Sequence, residues 1–222
     1  MKNQNLNYFA IAKELNTENH KELKKNKLHF RGNFNSFSLI SLDKETAEKG
    51  KPSKGEPKFK TKDDGIKALD ELKINPLKKN LRHVPEKELQ AWVINYAMNN
   101  GLKLPFGNNL FFLTSEMAFP KSEKGKVVND ILAIDNEGNL VVVELKPKRD
   151  NTVKKQVEHF AKIIEKHHDL FMNLVNILTD KKWNGIVKTM VVWPKLSSGN
   201  NPRDNAFPLV EEINYCEGYH FE

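Results

Sequence analysis

From residue 85 onward, the apolar positions of the chain recur with two different periods. Leu89, Trp92, Val93, Tyr96 and Ala97 have the three- and four-residue spacing of a helix. Pro85-Glu86-Lys87-Glu88 opens it with early negative charge, which suits the positive end of a helix, and Asn99-Asn100-Gly101 closes it. Leu110 to Met117 reads as a strand, and two more begin at Asp130 and Leu140. Thr152 to about Lys166 is predicted helical, with Val153, Val157, Phe160, Ile163 and Ile164 on one face. A second helix, from about Asp169 to Leu178, leads into a strand over Ile186 to Trp193 that Pro194 stops. A helical crossover between the third and fourth strands makes them parallel if adjacent, so the sheet is mixed. The front of the chain is weaker in pattern. Asn7 to Leu15 suggests a short helix and Asn35 to Leu42 a strand. Residues 44–66, rich in Lys, Glu, Gly, Pro, Ser and Asp, read as a linker, and the tail after Lys195 reads as loop. No internal repeat stands out.

The two middle strands carry chemistry at one end. Asp130 opens the first, and Glu144-Leu145-Lys146 closes the second. Side chains alternate faces along a strand, so Glu144 and Lys146 share a face. Whether Asp130 joins them depends on the turn. A two-residue turn at Glu137-Gly138 would pair Asp130 with Leu145 and send it to the other face. A three-residue loop, Asn136-Glu137-Gly138, pairs Asp135 with Asn139 and Asp130 with Glu144. That loop is a type I turn followed by a bulge and wants a left-handed glycine at its third position, where Gly138 stands. The three-residue loop is therefore the expected form. Opposed carboxylates repel, and Mg²⁺, a hard cation that prefers oxygen ligands, would relieve the conflict. Two acids and a lysine converging there suggest a site for a divalent cation and a water. The plain alternative is a Glu144–Lys146 ion pair at a strand end, with Asp130 a solvated strand start.

Composition narrows the classes. No apolar run approaches the roughly 20 residues that span a bilayer, and Met1 to Tyr8 lack the apolar stretch of a signal peptide. Cys216 is the only cysteine, which excludes an internal disulfide and a cysteine-based zinc finger. A soluble, cytoplasmic protein is the economical expectation. The net charge of +7 is uneven: residues 1–82 hold 19 Lys and Arg against 11 Asp and Glu, and the remainder 17 against 18. A basic front beside an acidic site suits a polyanionic substrate. A merely solubilising lysine surface fits the charge equally well.

The residues Asp130 and Glu144-Leu145-Lys146, on this order of elements, resemble the PD-(D/E)xK nuclease superfamily. Gln156-Val157-Glu158-His159-Phe160 resembles the Gln-x-x-x-Tyr element of its RecB-like branch, with Phe160 in place of tyrosine. Asn129-Asp130-Ile131-Leu132-Ala133-Ile134-Asp135, Gly138 and Val141-Val142-Val143-Glu144-Leu145-Lys146 are similar to NucS-like nuclease domains. Asn129 stands where the superfamily name has proline. The resemblance implies an α/β, restriction-endonuclease-like core: a mixed four-stranded sheet flanked by helices, order αβββαβ, over residues 84–195. Residues 1–43 would then be a basic N-terminal extension, 44–83 a linker and connecting segment, and 196–222 a C-terminal tail. It further implies Mg²⁺, with Mn²⁺ able to substitute, held by Asp130, Glu144 and the Leu145 carbonyl. Glu86 on the leading helix would face the metal, with Glu88 as the alternate. Lys146 would orient or help deprotonate a water, and Gln156 would position the DNA backbone or Lys146.

Lys148 and Arg149, just past the site, can grip phosphates near the cleavage point or solvate a loop. Glu116 can line the cleft or be an edge-strand charge. Trp92 and Trp193 are assigned to the core, and His159, His167 and His168 to surface or packing. The leading expectation is a Mg²⁺-dependent endonuclease hydrolysing DNA, in defence, restriction or repair, for which cutting both strands would favour a homodimer. The competing ones are a non-catalytic nucleic-acid-binding module of the same fold, and a partner-binding protein whose basic arm contacts an acidic protein.

Overall fold

The computed structural model describes residues 5–42, 58–74, 85–107, 109–120, 126–150, 152–195 and 209–221. The chain forms two compact units, residues 1–101 and 102–222. Among the described residues, no helix is long and apolar enough to cross a membrane.

The first unit begins with α1 (Asn7–Glu18) and α2 (His20–Lys25), followed by β1 (Leu28–Asn33), β2 (Ser36–Ser41) and β3 (Lys58–Phe59). Helices α3 (Lys62–Ile74) and α4 (Pro85–Asn99) complete it. The strands form an antiparallel sheet in the order β1-β2-β3. Their alternation places Leu28, Phe30, Phe37 and Leu39 in a core with Ala12, Leu15, Leu23 and Leu69. Asn16 closes the β1 edge: its amide donates to the Phe30 carbonyl at 2.7 Å, and its oxygen accepts the Phe30 amide at 2.8 Å. Of the stretch read as a linker, residues 44–57 lie outside the described residues, whereas 58–66 hold β3 and the start of α3. Helix α4 matches the expected span, and Gly101 follows it at φ +63°.

The second unit holds β4 (Phe111–Pro120), β5 (Lys126–Ile134), β6 (Leu140–Leu145), α5 (Thr152–Lys166), α6 (His168–Leu178), β7 (Val187–Pro194), β8 (Val210–Cys216) and β9 (His220–Phe221). One mixed sheet runs β4-β5-β6-β7-β8-β9. The β6–β7 pair is parallel, as the helical crossover requires. Helix α5 packs on β5, β6 and β7 through Val153, Val157, Phe160, Ala161 and Ile164. The expected four-stranded sheet is corrected to six strands. Val210-Glu211-Glu212-Ile213-Asn214-Tyr215-Cys216 is too polar to announce a strand, yet it pairs in parallel with β7. Strand β7 ends at Pro194, which is its last residue and faces Tyr215 in the next strand. Of the tail read as loop, residues 196–208 lie outside the described residues, and 209–221 contain β8 and β9.

Between β5 and β6, Ile134 pairs with Leu140 and Ile131 with Val143. The Asp135 amide donates to the Asn139 carbonyl at 3.0 Å. This is the register of the three-residue loop, and Gly138 is left-handed at φ +84°. Asp135 organises the loop from within, accepting the amides of Glu137 and Asn139 at 2.9 Å each and the Asn139 side-chain amide at 2.6 Å. A Cβ on Gly138 would lie 2.4 Å from the Lys182 carbonyl oxygen. Gly138→Ala is therefore expected to cost about 1–3 kcal/mol, from the left-handed conformation and the collision together. The readout is a lowered urea midpoint at unchanged slope. An unchanged midpoint would contradict the role given to this turn.

Candidate active site

The paired ladder of β5 and β6 stops at Ile131–Val143, and side chains take over beyond it. Asp130 accepts the Leu145 amide on Oδ2 at 2.9 Å. Asn129, 1% exposed, donates its side-chain amide to the Val143 carbonyl at 3.1 Å. These two bonds satisfy backbone groups that the strands no longer share. They also pin the start of β5 to the end of β6. Asn129 stands where the superfamily name has proline, and its bond to Val143 depends on a partner strand that the local sequence does not show.

The register brings Asp130 and Glu144 to one face, with a carboxylate oxygen of each within 4.8 Å of the other. Both side chains are buried. Lys146 Nζ donates to Glu144 Oε1 at 2.9 Å, and Gln156 Nε2 donates to the same oxygen at 2.7 Å. Gln156 also donates to the Val128 carbonyl at 3.2 Å, so the first turns of α5 tie β5 to β6. Asp130, Glu144, Lys146 and Gln156 thus converge within one unit. Buried hard oxygen donors with an acid–acid conflict form a set that could hold a divalent metal ion.

Burial pushes the Glu144 carboxyl up to about 8, and the Asp130 charge pushes the same way, against the opposing pull of Lys146. The folded protein without metal therefore holds a proton that the unfolded chain releases at ordinary carboxylate pH.

Other expected residues are distributed as follows. Glu86 is half-buried and Glu88 buried in the first turn of α4, in the first unit. Leu145 is fully buried. Glu116 lies between the pairs Ser115–Ile131 and Met117–Asn129, hence beside Asp130 across β4 and β5, with a left-handed φ of +47°. Lys148 is exposed. Arg149 has internal partners: its Nε donates to the Pro194 carbonyl at 3.0 Å, its guanidinium bonds the Asn214 side chain and pairs with Glu212 at 3.6 Å, and it lies 4.5 Å over the Trp193 ring. Trp193 is 1% exposed and Trp92 half-buried, stacked on Tyr96. The histidines pack or face solvent: His167 against Phe119, His168 against Trp183, and His159 exposed.

No family model matches the chain, and no curated protein does. Solved structures match part of it, two of them as follows. A complex of EndoMS with dsDNA is 21% identical, covering 56% of this chain and 44% of its own, with a TM-score of 0.36. A repair endonuclease from Pyrococcus abyssi is 21% identical, covering 50% and 39%, with a TM-score of 0.29. The chain thus spans less than half the length of either.

Because the Glu144 pKa is raised on folding, stability of the metal-free protein is expected to fall as pH rises from the carboxylate range toward about 8. Glu144→Gln should flatten that slope and raise the melting temperature at pH 8. Added Mg²⁺ should do the same for the wild type, by binding the folded form. Parallel thermal scans at pH 5 and pH 8 give the answer. A slope that survives in Glu144→Gln would place the penalty elsewhere.

Proposed function

We propose that the chain is a divalent-metal-dependent nuclease of the PD-(D/E)xK type, hydrolysing DNA phosphodiester bonds. The observation that carries the reading is the shared Glu144 oxygen. A carboxylate buried beside Asp130 receives both Lys146 and Gln156 on Oε1, an expensive arrangement for folding alone. Asp130, Glu144 and the Leu145 carbonyl are the proposed metal ligands. When bound, the ion would draw charge from a phosphate oxygen and acidify a water.

The chain's own residues supply the remainder. Lys146 holds its ammonium at the mouth of the carboxylate pair, with its side chain 20% exposed. There it can donate to a phosphate oxygen as charge develops, or orient the attacking water. Gln156 holds Glu144 in place from the helix above. Lys148, exposed on the loop beyond the site, and Arg149 are proposed to neutralise phosphates. The basic front of the chain would add sequence-independent attraction that weakens with salt. We propose further that the protein acts in the cytoplasm, and as a homodimer where both strands are cut.

Plasmid, linear and branched DNA incubated with Mg²⁺ test the proposal. Wild type is expected to cleave at least one of them. Lys146→Ala is expected to lose about 10²–10⁴-fold in rate, and Asp130→Ala and Glu144→Ala to lose calorimetric Mg²⁺ and Mn²⁺ binding. Equal cleavage by wild type and Lys146→Ala would remove the mechanism. DNA binding without cleavage would leave a non-catalytic module of the same fold.

A further inference from the structure

Strand β8 lies beyond the strands that carry the site, yet it contacts the loop and helix that deliver Lys146 and Gln156. The sheet registers link them. Glu144 stands beside Val191 of β7, and Val191 beside Glu212 of β8, so these side chains project to one face. Glu212 Oε1 lies 2.6 Å from Lys154 Nζ, whose side chain is 2% exposed. The other Glu212 oxygen pairs with Arg149 at 3.6 Å. The Trp193 ring lies under both cations, 4.5 Å from the Arg149 guanidinium and 5.3 Å from Lys154 Nζ. Two residues further along β8, Asn214 accepts from Arg149. The next, Tyr215, donates its hydroxyl to the Lys146 carbonyl at 3.2 Å.

These contacts pin the connection from β6 to α5 at three points. Lys146 is held through its carbonyl, Arg149 through its guanidinium, and Lys154 through its ammonium in the first turn of α5. Gln156 is two residues on, in the same rigid turns, so fixing Lys154 also fixes the height and rotation of Gln156. A buried ion pair is weak evidence of stability, because desolvation offsets the attraction. Its stronger effect is geometric: a lysine buried this deeply is held where Glu212 meets its ammonium.

On the nuclease reading proposed above, we infer that β8 is the positioning strand of the site. Tyr215 acts through the Lys146 carbonyl, and Glu212 through Lys154 and Arg149, to set Lys146 and Gln156 against Glu144. Neither residue is expected to touch the substrate.

Tyr215→Phe is the mild test, since it keeps the ring that packs on Tyr219 and Phe221 and removes only the hydroxyl. It is expected to lower kcat for Mg²⁺-dependent DNA cleavage about tenfold, within the roughly 100-fold that a 1 Å misplacement can cost. KM and melting temperature should be unchanged. Glu212→Gln should lower kcat further, whereas Glu211→Gln, an exposed neighbour on the opposite face, should cleave like wild type. Should Glu212→Gln fail to fold, Tyr215→Phe alone decides.

A second readout is independent of activity: the ¹³C NMR signal of dimethylated Lys146, assigned by its absence in Lys146→Arg. It should shift in Tyr215→Phe while the other lysine signals stay. If wild type cleaves DNA and Tyr215→Phe cleaves equally, β8 positions nothing and the nuclease reading stands. If wild type cleaves nothing, that reading fails. The Lys146 signal then decides whether β8 holds the lysine: a shift supports it, and an unmoved signal overturns it.

Discussion

Side chains on a strand alternate with a period of two, so a one-residue slip between β5 and β6 would turn Asp130 away from Glu144. The register is set at the far end of the hairpin by Asp135 and Gly138. Asp135 gathers the amides of the loop and pairs with Lys188 at 2.9 Å. Burial works against its charge, but the Asn139 and Lys188 hydrogen bonds hold its carboxyl below the usual range. Gly138 supplies the left-handed residue, with the Lys182 carbonyl too near to admit a Cβ. The candidate site is thus determined in part by a turn five residues away on each strand.

That register creates an electrostatic conflict and then contains it. Asp130 and Glu144 are buried on one face, and folding gains nothing from placing two carboxylates there. The surrounding bonds show how the arrangement survives. Asp130 is held by the Leu145 amide, and Glu144 by Lys146 and Gln156. The β5–β6 ladder ends as the carboxylates begin, with the side chains of Asn129 and Asp130 replacing strand bonds. Stability is given up at the place where chemistry is proposed, a common balance at functional sites.

Much of the second unit is legible without coordinates. The apolar run Leu140 to Val143, ending in Glu144-Leu145-Lys146, is a central strand buried on both faces. The face of α5 follows from its helical period, and Gly138 alone distinguishes the two hairpin registers. Other features are hidden for definite reasons. Strand β8 is missed because its alternation is broken by Glu211, Glu212 and Asn214, whose partners come from distant segments. Lys154 looks like a solvated helix lysine, since burial of an ammonium depends on a counter-ion 58 residues away. Nothing near Arg149 in the chain announces that Glu212, Asn214 and Trp193 assemble around it, since all three come from later strands.

The sequence by itself determined the local quantities. They are the periods that make β6 a strand and α5 a helix, the glycine that selects the turn, and hence the pairing of Asp130 with Glu144. These depend on near neighbours and on backbone geometry, which a short stretch of residues specifies. Tertiary structure alone decided which side chains receive partners across the sheet. It buried Lys154 on Glu212, turned Arg149 inward, and placed Tyr215 beneath Lys146. Such pairings join residues far apart in the chain, and the energy of a charge depends on the burial and counter-charges that only the folded sheet brings to it.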